Sequence, residues 1–235
     1  MTEHTNKQFD AEMEAIRTGV LSMGGIVEQQ MTRAIEALEK EEDPARIDAV
    51  GADEAAINQL QIALDQQCAQ IIARRQPTAI DLRMVLTVSK IVTDLERIGD
   101  EVKKIAYKAA GARASEQLAR VRYYDTAKAL DHAMTMLRLA LDAFARLDAV
   151  AASEVIERDA DIDAAFASIL RQLVSYMMED PRTITPAIEI VFVAKSIERI
   201  GDHAKNIAEA VVQVVKGKDV RHATVDEIRA EIAQP

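Results

Sequence analysis

Residues 95–100 read Leu-Glu-Arg-Ile-Gly-Asp, and residues 197–202 read Ile-Glu-Arg-Ile-Gly-Asp. The copies lie 102 residues apart in a chain of 235. A period close to half the length speaks for duplication of a whole domain rather than a short solenoid repeat. Each copy also fixes two carboxylates four residues apart: Glu96 with Asp100, and Glu198 with Asp202. On a helix, residues i and i+4 share a face. The repeat therefore carries a chemical device as well as a fold.

Outward from the first copy, apolar residues recur at helical spacing. Met13, Ile16, Val20, Met23, Val27, Met31, Ile35 and Leu38 form one stripe at intervals of 3 or 4 within a first helix over about 9–41. Asp43-Pro44 restarts the chain, with Asp as N-cap and Pro at the first helical position. A second helix is predicted to Arg75, a turn at Gln76-Pro77-Thr78, and a third helix over 79–110 closed by Gly111. The second half repeats the plan with helices over 115–146, 147–178 and 185–216. Its breaks fall at Leu147-Asp148, which is weakly marked, and at Asp180-Pro181, and Gly217 is the terminator. A brief helix near 226–232 is expected in a polar tail. Long helices with short connections lie antiparallel and bury their stripes together. The expected fold is all-α, with two tandem, pseudo-repeated antiparallel three-helix bundles over 1–112 and 113–217 and a tail over 218–235.

Composition supports this reading. Gly numbers 8 and Pro 5, aromatics make up 3% and Trp is absent, so the core must be aliphatic. A net charge of -10 argues against nucleic acid, whose phosphates need clustered Lys and Arg. The single cysteine, Cys68, suits a reducing compartment and reads as a small buried apolar residue. No charged-then-apolar leader opens the chain. The longest apolar stretch, around 188–194, is interrupted by Glu189 and bounded by Lys195, too short to span a bilayer. A soluble, cytoplasmic protein is expected.

With Ile98 at zero and about 100° per residue, Met84, Ile91, Leu95, Val102 and Ile105 cluster about it, while Glu96 and Asp100 fall opposite. The last long helix behaves alike, so both pairs are expected to look outward from the principal seam. The second helix of each half carries a partner pair flanking its stripe: Glu54 and Asn58 in the first half, Asp159 and Asp163 in the second. If neighbouring axes lie about 8–10 Å apart, the pairs converge across each seam. Gathered carboxylates repel unless protons or a cation neutralise them. The expected ligand is a metal ion (iron, Mn, Mg, Ca or Zn), held by Glu54, Asn58, Glu96 and Asp100 in one half and Asp159, Asp163, Glu198 and Asp202 in the other. The neutral Asn58 predicts weaker or more selective binding in the first half. The competing reading is a pair of solvated acidic faces. Gly99 and Gly201 sit mid-helix, where glycine costs about 1 kcal/mol, and imply close helix approach or room for a ligand. Arg97 and Arg199 read as solvated salt-bridge partners, with anion binding as the alternative.

Enzymatic patterns are missing. There is no G-x-x-x-x-G-K-[ST] and no H-E-x-x-H. Three residues after Glu198, where a ferritin-like site needs His, stands Gly201. His4, His132, His203 and His222 are scattered and read as surface residues. A signalling adaptor is the leading expectation. A metal-dependent carboxylate-bridged enzyme (phosphohydrolase or oxidase) and a structural tether at the membrane surface are the competitors.

Several runs carry a resemblance: Ile71 to Val85 (I-I-A-R-R-Q-P-T-A-I-D-L-R-M-V), the two E-R-I-G-D phrases, Tyr176 to Ile184 (Y-M-M-E-D-P-R-T-I) and Val215 to His222 (V-K-G-K-D-V-R-H). On these the chain resembles the PhoU family over nearly its whole length. The resemblance implies two three-helix bundles and metal binding through E(D)-x-x-x-D motifs, matched by Glu96/Asp100, Asp159/Asp163 and Glu198/Asp202. Glu54/Asn58 departs at its last position. It further implies a cytoplasmic negative regulator of the phosphate-starvation response and of phosphate uptake. Such a protein acts between the ATPase subunit of the phosphate ABC transporter and a phosphate-sensing histidine kinase. It is a homodimer that is peripheral to the membrane only through its partners.

Overall fold

The computed structural model describes residues 2–39, 43–111 and 116–233, with side chains over 7–39, 43–109 and 124–233. Seven α-helices appear in order: α1 (Thr2–Glu39), α2 (Pro44–Arg75), α3 (Ala79–Gly111), α4 (Glu116–Arg146), α5 (Ala149–Glu179), α6 (Ile184–Lys216) and α7 (Val225–Ala233). A 3-10 turn, Pro181–Thr183, leads into α6.

Local chemistry sets the breaks. The Asp43 carboxylate accepts from Ala45 N–H at 3.1 Å, and Pro44 opens α2 with a fixed φ suited to the first turn. The Asp148 carboxylate caps α5 by accepting from Ala151 N–H at 3.0 Å. Asp180 accepts from Arg182 N–H at 3.0 Å and starts the 3-10 turn. Gly217 closes α6 in the left-handed region at φ 76, donating to Gln213 C=O at 2.9 Å, as the sequence predicts. Gly111, expected as the C-cap of α3, is instead its last helical residue. Before α7, Thr224 and Glu227 bond reciprocally: Glu227 N–H donates to Thr224 Oγ1 at 3.3 Å, and Thr224 N–H to Glu227 Oε2 at 2.7 Å.

Helices α1, α2 and α3 pack on one another, and so do α4, α5 and α6, giving the two tandem bundles. The bundles share a core, because α3 packs along α6 and α1 along α4. The α3–α6 crossing is antiparallel. Lys90 on α3 meets Gln213 on α6, Asp94 meets His203, Glu101 meets Arg199, and Lys108 meets Glu189. One continuous aliphatic cluster runs through both halves, from Ile16 and Val20 through Leu95 and Ile98 to Ile197 and Ile200. Cys68 is buried, and burial followed by the Asp65 charge pushes its thiol up to about 11.

Ile98 and Ile200 are both 0% exposed, whereas Ile62 is 59% exposed. Replacing either buried isoleucine by alanine is expected to cost about 2–5 kcal/mol in chemical denaturation. Ile62→Ala should stay within roughly 0.5 kcal/mol of wild type. Equal losses at all three positions would contradict this helix orientation.

Candidate functional site

The acidic pairs occupy the α2–α3 and α5–α6 seams. Glu54, Asn58, Glu96, Asp100 and Glu198 are half-buried, Asp159 is buried, and Asp163 and Asp202 are exposed. Glu96, Asp100 and Glu198 lie off the stripe of Ile98 and Ile200, and they are half-buried rather than fully exposed. A helical wheel measures direction from a helix's own stripe, and the adjacent helix lies against the flank that carries the pair.

Glycines bring the helices together. A β-carbon on Gly99 would stand 3.1 Å from Ile57 Cδ1, and one on Gly201 would stand 3.1 Å from Ile162 Cγ2. Ile57 precedes Asn58, and Ile162 precedes Asp163, so the same contact draws each partner pair to its E-x-x-x-D. This closeness is the reason for glycine at both places.

The second half brings all four carboxylates within electrostatic reach. Partial desolvation of the carboxyl, then repulsion from Asp159 and Glu198, raises Asp163 above its ordinary range. Partial desolvation, then Glu198, Asp159 and Asp163, does the same to Asp202. In the first half, burial, then Asp100 and also Glu54, raises Glu96.

Lysines supply the counter-charge. Lys103 Nζ donates to Glu54 Oε2 at 2.8 Å, and Lys205 Nζ to Asp159 Oδ2 at 2.7 Å. These two bonds occupy equivalent places in the repeat. Lys195 pairs with Glu198. The bond to Glu54 holds the Lys103 ammonium above its usual range.

The donor set suits a hard cation. Asn58 Oδ1 is buried with no hydrogen-bond partner, an acceptor waiting for a donor or a metal. Glu198 Oε2 is buried and held only by its ion pair with Lys195. Among the described residues, however, no three His, Cys, Asp or Glu side chains are grouped closely enough to hold a metal ion as they stand. Loading would require carboxylates to leave their lysines.

A second polar cluster went unread in the sequence. His203 is 8% exposed, which corrects its expected surface position. Its Nδ1 is 2.8 Å from Asp94 Oδ1, and Asn206 Nδ2 donates to the same oxygen at 3.3 Å. Glu101, at 2% exposure, takes an ion pair from Arg199 at 2.7 Å and one from Lys104 at 3.0 Å. A signal existed. Glu101 follows Ile98 by three residues and His203 follows Ile200 by three, which places both on the apolar stripe. His132 is half-buried, His222 is exposed, and the His4 side chain lies outside the described residues.

The raised carboxyls have a stability consequence. A raised acid binds its proton more tightly when folded than when unfolded. It therefore costs stability above its folded pKa, and that cost is removed as pH falls through it. In chelator-treated protein, Asp202→Asn is expected to melt above wild type at pH 7. The gain should shrink as pH is lowered through the carboxylate range, followed by thermal denaturation. A variant melting below wild type at pH 7 would contradict the mutual repulsion.

Comparison with known proteins gives a consistent result. The PhoU domain family model matches residues 20–109 and 126–211, one match in each half. The chain is 44% identical over 232 residues to a protein of Pseudomonas putida named phosphate-specific transport system accessory protein PhoU homolog, covering 99% of this chain and 90% of that protein. It is 41% identical to the Escherichia coli (strain K12) phosphate-specific transport system accessory protein PhoU, covering 97% and 93%. The fold superposes on the crystal structure of PhoU from Pseudomonas aeruginosa with TM-score 0.82 at 42% identity, over 89% of this chain and 100% of that one. The phosphate transport system regulatory protein PhoU from Streptococcus pneumoniae gives 0.81 at 27% identity, over 90% and 99%. With a repeated domain match, full-length identity and a shared fold, the chain belongs to the PhoU family.

Proposed function

We propose that this protein is a cytoplasmic negative regulator of the phosphate-starvation response and of phosphate uptake. It acts as a metal-binding adaptor, not an enzyme, between the ATPase subunit of a phosphate ABC transporter and a phosphate-sensing histidine kinase. It works as a homodimer. The observation that carries this reading is full-length identity of 41–44% to proteins named as accessory to phosphate-specific transport. No described helix is long and apolar enough to cross a membrane, in keeping with attachment through partners.

The geometry supports the adaptor role. Long helices present broad faces to partner helices. Several large apolar side chains stand exposed on α5 and α6, among them Val174, Met178, Ile188 and Phe192. The acidic seams supply the metal sites. Glu54, Asn58, Glu96 and Asp100 would hold one ion, and Asp159, Asp163, Glu198 and Asp202 the other. A bound cation would relieve the carboxylate repulsion and tie α2 to α3 and α5 to α6. The neutral Asn58 makes the first set the weaker.

Deleting the gene is expected to give constitutive alkaline phosphatase in high-phosphate medium, with repression restored by the wild-type gene. A reporter that stays repressed in the deletion strain would overturn the regulatory reading. Metal titration checks the rest. Replacing Asp159, Asp163, Glu198 and Asp202 together by alanine should abolish binding in the second half, and binding as tight as wild type would remove that site from the proposal.

A further inference from the structure

The two arginines of the repeated phrase meet different surroundings. Arg199 is 2.7 Å from Glu101, across the α3–α6 seam. The repeat carries Arg199 onto Arg97 and Glu101 onto residue 203. Residue 203 is His, and its ring is engaged with Asp94. The position that should return a carboxylate to Arg97 therefore offers an imidazole. Arg97 is exposed and has no ion pair or hydrogen bond among the described residues.

A cleft of about 340 Å³ opens beside it between α3 and α6. Its walls include Lys90, Arg97, Asn206, Glu209, Gln213 and Arg221. It adjoins a second space of about 450 Å³ that reaches Arg199 and His222. The charges inside divide into committed and free. Asp94 accepts from His203 and Asn206, so its charge is held in the wall. Lys90 bonds only a neutral amide, Gln213 Oε1, at 2.9 Å. Arg221 gives its Nε and Nη2 to both oxygens of Asp219 on its own turn, which leaves Nη1 for the cleft. Glu209 is 6% exposed and has no hydrogen bond or ion pair among the described residues. Burial raises its carboxyl, against the pull of Lys205.

We propose that this cleft binds a small phosphoryl oxyanion through Arg97 and Lys90, with the remaining Nη1 of Arg221 reaching from the opposite wall. A guanidinium fork matches two oxygens of one anion, and an ammonium offers three rotatable donors to another. Donors from two walls suit a tetrahedral group with acceptor oxygens on every side. A carboxylate would satisfy one fork and leave the other cations idle. The chain carries a net charge of -10, so its overall field disfavours anions, and only a local gathering of cations can hold one. The asymmetry at position 203 frees Arg97 for this use. The inference does not rest on the adaptor reading.

Isothermal titration of the full chain at fixed ionic strength tests it, with inorganic phosphate, AMP and sulfate as probes. Saturable binding of inorganic phosphate or of AMP is expected, and the tighter of the two tells a free ion from a phosphate ester. Arg97→Gln and Lys90→Gln should each weaken that binding by about tenfold. Both residues are exposed, so the variants should keep the wild-type helical circular dichroism. Arg182→Gln, outside the cleft, should bind as wild type does. Lack of saturable binding of both phosphoryl probes, an equal response to sulfate, or undiminished binding by the folded Arg97 and Lys90 variants would each overturn the proposal.

Discussion

Burial of one aliphatic face of α3 against α6 is the constraint from which the rest follows. With 3% aromatic residues and no Trp, the chain has no large side chains with which to thicken a small bundle. A three-helix unit of about half the chain buries proportionally less surface than the whole. Packing α3 on α6 and α1 on α4 joins two modest cores into one. The same packing decides where polar chemistry can sit. Along α3, Ile98 faces the core, Glu101 and Asp94 meet α6, and Glu96 and Asp100 are left to the groove with α2.

The duplication is kept closely where it shapes the backbone and loosely where it shapes charge. Gly99 and Gly201 meet equivalent isoleucines at the same distance, and Lys103 and Lys205 neutralise equivalent acids. Charge departs from the repeat at Asn58, which faces Asp163 in the correspondence, and at His203, which faces Glu101. Each departure removes one negative charge. One leaves an amide oxygen without a donor, and the other leaves a guanidinium without an ion pair across the α3–α6 seam.

Most of the fold could be read from the chain because its breaks use strong local chemistry. Asp43-Pro44, Asp180-Pro181 and Gly217 act within a few residues and need no tertiary help. Leu147 was harder, since it takes φ 53 without being glycine, and only the following Asp148 cap marks the turn. The acidic sets were legible as residues but not as geometry. The counter-ions Lys103 and Lys205 lie one turn beyond each E-x-x-x-D, and nothing in the spacing of the acids announces them. His203 and Glu101 escaped because a lone polar residue hardly disturbs an otherwise apolar stripe.

The antiparallel α3–α6 crossing has the geometry of a two-fold interface drawn within a single chain. In an isologous dimer of identical halves, residue i meets j and j meets i, so every contact occurs twice. A half-length homodimer built this way would be bound to place the same residue at both ends of the crossing. Joining the halves in one polypeptide lifts that obligation. Position 101 can hold a glutamate that clasps Arg199 while its counterpart holds a histidine that turns to Asp94. Covalent fusion gives the crossing a direction: one end closes on itself as an ion pair, and the other stays open to something outside the chain.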